Sequence, residues 1–530
     1  MDVIKLSDFY DGDTVQSLKK TVEQVKKDGA KTLFIEPGDY IVTGERARAA
    51  QAAVMAGDFG ENPQKIMFTP TYEYDIGFDL SGLSDVKISA YGVRFIVDGF
   101  MEPVRIKNCE NVELLGLTVT HKRKPFSRGH VTKCTPRNEE NVFDVTVELD
   151  EDCPITQKTP MLLRYMWCDA LSGKNKNGGI ISYTYVDEHH FTAVVKCIGL
   201  CVGDEFNTVH AFHSRPAIHI AESKNITLTD VTINSQPGMG VVGNRSENVT
   251  LKRLWVVPEC EYHWSTNTDA THFTSMTGKL RLENCVFEYH GDDFTNVHGY
   301  YQEVVTRVTD TEFFMQEKTP DGTHTQALDY PDVGDTLELT RKSDLRVLDT
   351  YKVEKVTLMP DEWMCRVTVD HPLPESTEGL MLADVTRLPF VEIIGCSASS
   401  HFARGVLLKT HGALVERNTM RDIHGPAIVA ASEAWWYEGV SPRNITIRGN
   451  RIVNCGMFWG EAAGIVVKSD CDNPVLRNIS DIIIEDNVIE APLAEHGIYV
   501  RGADGVKVSG NIVKTRGEGV VLEDCGKMLK

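Results

Sequence analysis

From Val86 onward one phrase keeps returning: an Asn, Asp or Gly, a run of alternating aliphatic residues, a polar turn and a second alternating strand. Copies open at Asn111-Val112-Glu113-Leu114, Asn225-Ile226-Thr227-Leu228, Asn248-Val249-Thr250-Leu251, Asn444-Ile445-Thr446-Ile447, Asp481-Ile482-Ile483-Ile484 and Gly505-Val506-Lys507-Val508. Partner strands such as Val231-Thr232-Ile233, Arg451-Ile452-Val453 and Asn511-Ile512-Val513 follow most of them. Adjacent copies are spaced by about 22 to 37 residues, one coil of a parallel β-helix with loops lengthening the larger intervals. A single copy cannot bury its apolar face, so successive copies must stack into a solenoid. The length of 530 residues also exceeds what one compact core accommodates. The polar openers are scaffold on this reading. Asn225, Asn248, Asn444 and Asn487 suit turns between rungs, because Asn tolerates left-handed backbone and hydrogen-bonds locally. The Asn-x-Ser/Thr matches at Asn225, Asn248 and Asn444 fall on strands, which argues against glycosylation.

Ahead of the repeat, Val15, Leu18, Val22 and Val25 fall at helical spacing and Gly29 ends the pattern. A strand at Thr32-Leu33-Phe34-Ile35 and a Pro37-Gly38-Asp39-Tyr40 turn follow. Together they resemble the N-terminal caps of right-handed β-helix enzymes of the pectate-lyase superfamily. Two segments break the phrase with denser alternation. The first holds Phe143-Asp144-Val145-Thr146-Val147, Ile180-Ile181-Ser182-Tyr183-Thr184-Tyr185 and Phe191-Thr192-Ala193-Val194-Val195; the second holds Val304-Val305-Thr306-Arg307-Val308, Thr336-Leu337-Glu338-Leu339 and Arg366-Val367-Thr368-Val369. Each resembles a small antiparallel β-barrel. The expected fold is all-β, a right-handed parallel β-helix with two inserted barrels. Its parts are a cap and first coils (1–140), a barrel (141–213), central coils (214–300), a second barrel (301–389) and C-terminal coils (390–530).

The chemistry is concentrated between Asn267 and Tyr301. Asp269 lies 23 residues before Asp292 and 24 before Asp293, with Leu280-Arg281-Leu282-Glu283 and Cys285-Val286-Phe287 alternating between them. That interval is one coil, and stacked strands lie ~4.8 Å apart, so the three carboxylates are expected side by side. Carboxylates so crowded cannot all ionise cheaply, and forcing one to keep its proton prepares a general acid beside a general base. Adjacent strand residues face opposite ways, so either a bend turns both Asp292 and Asp293 outward or one is buried at a cost of several kcal/mol, on the order of 3 or more.

Around this core, His272, Asn296 and His298 are candidate sugar-binding residues. The flanking His272, His290 and His298 form no HxxxH or HxH arrangement, which argues against a transition-metal site. Calcium on the three carboxylates is the more plausible metal reading, and no metal is expected. Glu433-Ala434-Trp435-Trp436-Tyr437-Glu438 is the densest aromatic cluster, on a loop after strand Ala427-Ile428-Val429, where Trp435 and Trp436 suit the apolar face of a hexose. Lys409 ends strand Gly405-Val406-Leu407-Leu408 on the same side and joins Glu433 as a candidate contact. A formal net charge of -21 argues against nucleic acid or an anionic polymer and for a neutral ligand. No apolar run is long enough for a bilayer, and homodimerisation is compatible with the sequence. The 13 cysteines, odd in number and without a CxxC pair, read as reduced thiols. With no signal core after Met1 the chain as written is expected in the cytoplasm; a secreted or periplasmic protein shorn of its leader would read identically.

Asp269-Ala270-Thr271-His272-Phe273 and Asp292-Asp293-x-Thr295-Asn296-Val297-His298-Gly299, with the cap, the β-helix and two barrels, resemble glycoside hydrolase family 110. These are α-1,3-galactosidases that release terminal galactose from blood-group-B-type and related glycans. The resemblance implies an inverting hydrolase without metal or other cofactor, with Asp269, Asp292 and Asp293 as its catalytic aspartates and a neutral galactose-terminated glycan as its partner. A polygalacturonase-like hydrolase is the alternative enzyme, since Asn267-Thr268-Asp269 and Gly291-Asp292-Asp293 are similar to its motifs; its Gly-His-Gly and Arg-x-Lys do not occur in register. Likeness to that group implies Asp292 as the acid, its pKa raised by ionised neighbours, and Asp269 with Asp293 as the base. A non-catalytic carbohydrate-binding solenoid, the third reading, has no use for three clustered carboxylates.

Overall fold

Helix Thr14–Asp28 closes one end of the stack. Asp13 caps it by accepting from Gln16 N at 3.0 Å, and Gly29 ends it in left-handed backbone at φ 61°. Its buried stripe of Leu18, Val22 and Val25 joins Leu33, Phe78 and Phe95 in the core of the solenoid, so the helix covers apolar surface that no further coil reaches. The computed structural model describes residues 2–67, 69, 71–260, 262–316, 329–359, 364–457, 462–471 and 478–529.

The coils form a right-handed parallel β-helix whose strands stack in register. One inward column runs Ile226, Val249, Leu280, Val391, Ala413, Ile445, Ile482 and Val506, each paired with the next across parallel strands. All eight are buried, which is why the aliphatic alternation of the repeat is unbroken. The polar openers take the turn role their chemistry suits: Asn225, Asn248 and Asn444 adopt φ of 55°, 55° and 56°. Asn487 belongs to a different, buried ladder in which the side-chain amides of Asn418, Asn450, Asn487 and Asn511 bond from coil to coil at 2.9–3.0 Å. A further column of parallel strands contains Ile218–Ala221, Val241–Asn244, Thr271–Thr274, Thr295–Arg307, Val406–Leu408 and Ile428–Glu433, and the candidate chemistry lies along it.

Both insertions are antiparallel and barrel-like. The first is a seven-stranded sheet whose edges, Asn175–Lys176 and Gly178–Tyr185, are one residue apart in the chain, so it curls round on itself over Val147, Trp167, Phe191 and Phe206. Strand Phe126–Pro136 already belongs to it, ahead of the expected start at 141. Its Ser127-Arg128-Gly129-His130 opening lacks the aliphatic alternation that marks the other strands. In the second, Thr295–Arg307, Glu312–Gln316, Met364–Val369, Val347–Met359, Thr336–Arg341 and Leu380–Asp384 pair in a closed ring. Its first strand runs without a break out of the solenoid, so the barrel is rooted on the coil that carries the aspartate pair. All 13 cysteines are free thiols. Among the described residues no helix is long and apolar enough to cross a membrane.

Candidate active site

Asp269 and the pair Asp292 and Asp293 each precede a strand of this column, and the strands pair Thr271 to Thr295. That register sets Asp293 beside Asp269 on the next coil, where Ala270 N donates to the Asp293 carbonyl at 3.0 Å. Asp292 and Asp293 lie in the bend before the strand, which settles how two adjacent carboxylates share one face. Phe294 takes the inward position, 4.3 Å between ring centroids from Phe287 in the core. One oxygen from each aspartate lies within 4.8 Å of the others. Their side chains differ in access: Asp292 is 19% exposed, Asp269 6% and Asp293 3%.

Each carboxylate has its own partner. Arg404 stands on the coil after Asp293; its backbone N and Nε donate to Asp293 Oδ1 at 2.9 and 3.1 Å and its Nη2 to Oδ2 at 3.0 Å, a bidentate clamp. Arg164, which opens strand Arg164–Cys168 of the first insertion, donates through Nη1 to Asp292 Oδ2 at 2.6 Å and to the Gly291 carbonyl. That insertion is pinned to the site by Asn267, whose buried amide donates to the carbonyls of Pro125 and Ala211 at 3.0 and 2.6 Å at the insertion's two stems. Asp269 Oδ2 is 2.6 Å from His272 Nδ1. Behind these lies a buried ionic network. Arg404 Nη1 bonds Glu433, Lys409 Nζ bonds Glu433 at 2.8 Å and Glu438 at 2.6 Å, and Asn296 accepts from Lys409 at 3.1 Å while donating to Glu438 at 3.2 Å.

Burial raises the pKa of all three aspartates, and the partners separate them. For Asp292 burial is outweighed by the Arg164 guanidinium, which holds the carboxyl below its ordinary value. Asp293 is pushed up to about 7 by burial, against Arg404 and reinforced by Asp292 and Asp269. Asp269 is raised by burial, against the His272 bond and with Asp292. The proton that crowding forces on the trio therefore resides on its buried side. This corrects the expectation that Asp292 would carry the raised pKa, because the cation that the first insertion brings to it lies 128 residues away in sequence.

The matching family model, described as "Right handed beta helix region", spans residues 379–529. α-1,3-Galactosidase A of Bacteroides fragilis is 24% identical over an alignment of 508 positions covering 89% of this chain and 80% of that protein. α-1,3-Galactosidase B of the same organism is 24% identical, covering 94% and 89%. The chain is a glycoside hydrolase of the parallel β-helix type. Among solved structures it is similar to the Streptococcus pneumoniae surface adhesin PfbA, with a TM-score of 0.45, 10% identity and coverage of 98% of this chain and 91% of that one. A family 28 exopolygalacturonase of Yersinia enterocolitica gives 0.42 at 9% identity, covering 100% and 79%. The expected resemblance to glycoside hydrolase family 110 stands on the named galactosidases.

In the hydrolase, five of the seven expected sugar-binding residues are buried, as Asp269 and Asp293 are. His272, Asn296, His298, Lys409 and Glu433 are all buried and bonded to one another or to Asp269, Arg404 and Glu438. They hold the carboxylates from behind, because a polar side chain taken out of water must be paired, and here the pairing groups come from neighbouring coils. Trp435 and Trp436 are exposed, as expected, on the turn Ala434–Trp436 directly after Glu433. Arg164, Arg404 and Glu438 were missed by sequence reading; charge type alone does not distinguish them from solvated residues. Two donor sets could gather round a cation among the described residues, the three aspartates and His272 with His298 and Glu438. In both the counter-charge is already supplied by protein cations, Arg164 and Arg404 for the first and Lys409 for the second.

Proposed function

We propose that this hydrolase releases terminal galactose from an α-1,3 linkage by direct displacement with water, inverting the anomeric centre. The observation that carries the reading is the trio of carboxylates, one partly exposed and two buried, in a chain similar over most of its length to proteins named α-1,3-galactosidases. Asp292, the accessible member, receives the proton that the trio holds on its buried side and passes it to the departing glycosidic oxygen. Asp269 and Asp293 hold the attacking water between them and Asp269 takes its proton. One water donating to two oxygens at ordinary hydrogen-bond length spans about 4.5 Å between them, which suits the separation here. Trp435 and Trp436 offer the apolar face on which a galactose ring stacks. A blood-group-B-type or a linear α-1,3-galactoside is the fitting glycan, with a neutral ring that needs no cationic pocket.

One measurement favours a second reading. Carboxyl separations of about 6.5–9.5 Å accompany inversion and about 5–5.5 Å retention, so oxygens within 4.8 Å with Asp292 held anionic would also suit a nucleophile. Direct displacement is preferred because the resemblance to glycoside hydrolase family 110 implies inversion, and a water bridging Asp269 and Asp293 needs oxygens this close. Incubation with aryl α-galactoside, α-1,3-galactobiose, branched B-type trisaccharide and polygalacturonate tests the substrate: galactose from the α-1,3 substrates is expected, and turnover of polygalacturonate alone would contradict the reading.

A further inference from the structure

We propose that His272 and His298 form a proton-holding array on Asp269, in which one proton beyond those of two neutral imidazoles is shared towards the carboxylate, making both histidines positioning residues for the base. The proposal rests on the catalytic reading above for its consequence but on hydrogen-bond counting for its existence. His298 Nδ1 lies 2.7 Å from the Gly299 carbonyl, an acceptor only, so that nitrogen carries hydrogen. His298 Nε2 lies 2.8 Å from His272 Nε2, and His272 Nδ1 lies 2.6 Å from Asp269 Oδ2. Each of these three contacts needs one hydrogen, since otherwise two lone pairs would face each other at hydrogen-bond distance in a buried site. Two neutral imidazoles and a carboxylate bring only two. The third is an additional proton, and it makes the array neutral as a whole.

The surroundings suit a resident cation at His272. Asp269 touches it, Asp292 and Asp293 lie beyond that carboxylate, and Glu438 Oε1 is 3.7 Å from His298 Nε2. Lys409, 2.6 Å from the other Glu438 oxygen, opposes it, and the Tyr300 ring packs edge-on to His298 at 4.7 Å. Burial would lower the His272 pKa, yet the Asp269 carboxylate raises it overall, whereas burial takes His298 down to about 3. The positive charge accordingly belongs on His272, with His298 as its neutral acceptor.

The array gives the base step a defined geometry. With Oδ2 engaged by the imidazolium, Asp269 presents Oδ1 to the water. The water O–H bond breaks towards Oδ1 as its oxygen bonds to the anomeric carbon, and the glycosidic C–O pair leaves to the oxygen that takes the Asp292 proton. One carboxyl gains a proton as another loses one, so the charge of the site is unchanged.

The test begins without substrate. In protein labelled with 15N-histidine, two-bond 1H–15N spectra at pH 7 are expected to show His272, assigned by its loss in His272→Asn, protonated on both nitrogens, and His298 as the neutral Nδ1–H form. In Asp269→Asn, His272 should turn neutral at the same pH. A neutral His272 in the parent, or one indifferent to Asp269→Asn, would overturn the proposal. In kinetics on an aryl α-galactoside, His272→Asn should lose about 10²–10⁴-fold in kcat with KM little changed, and the acid limb of its profile should move to higher pH as Asp269 loses its cation. A fall in KM affinity with kcat intact would also overturn it. A parent showing the doubly protonated His272 but cleaving no galactoside would leave the array standing and remove the galactosidase reading.

Discussion

Asp292→Asn is expected to lower kcat on an α-1,3-galactoside by about 10²–10⁴-fold, the range associated with loss of a positioned general acid. The fold should survive. Asn keeps an oxygen that can accept from Arg164, and the pair is partly exposed at 22% and 19%, so the ion pair itself contributes at most about 1 kcal/mol. The parent's pH dependence follows from the same contact. Asp292 acts only when protonated, and the Arg164 guanidinium holds its pKa below the ordinary carboxylate value. The working ion, Asp292 protonated with Asp269 ionised, is a minor form of the singly protonated trio, so its share follows that pool. kcat/KM should therefore peak at mildly acid pH, falling below the peak as the base is protonated too and above it as the trio loses its last proton, held at Asp293 up to about 7; the residual activity of Asp292→Asn should lack the alkaline limb. Rates measured from pH 3 to 8 check both. A variant within tenfold of the parent would remove Asp292 from the acid role.

Lys409→Met should be the most damaging single change to stability near the site. The ammonium is fully buried and neutralises Glu433 and Glu438 at 2.8 and 2.6 Å. Burial alone would favour the neutral amine, but the two carboxylates raise its pKa, so it is charged. Methionine fills the volume but leaves Glu438 buried without its cation and Glu433 with Arg404 alone, a loss of about 3–5 kcal/mol when one partner of a buried pair is removed. Thermal unfolding should shift down accordingly. Adding Glu438→Gln to Lys409→Met should restore part of the loss, because the stranded charge is then gone. An unchanged melting temperature in Lys409→Met would show that the network does not hold the fold.

The solenoid was legible because its information is local: each coil states its own alternation, and the apolar column from Ile226 to Val506 repeats that statement in register. The three aspartates were legible for the same reason, since a separation of one coil places Asp269 beside Asp293 whatever the rest of the chain does. The residues that govern them were not. Arg404 is 111 positions from Asp293, and Glu438 is 142 from Asn296. No local pattern announces such contacts. This is why the burial of Lys409, Glu433, Asn296, His272 and His298 was not visible: their polarity and nearness to the aspartates were, but many of the partners that let them be buried come from other coils and the turn after Ala434–Trp436. The same blindness misplaced the shared proton, because a guanidinium from an inserted sheet reverses the order that crowding alone would set.

The most direct test of the account is the anomeric configuration of the first sugar released. Proton NMR recorded during the first minutes of α-1,3-galactobiose hydrolysis, faster than mutarotation in a dilute weakly acidic buffer, resolves the two H1 signals of newly freed galactose. Attack by a water held between Asp269 and Asp293 on the face opposite the leaving group predicts β-galactose first, with the α-anomer growing in later. α-Galactose as the first product would mean that a carboxylate, not water, attacks the anomeric carbon, and would contradict the assignment of Asp269 and Asp293 as the base.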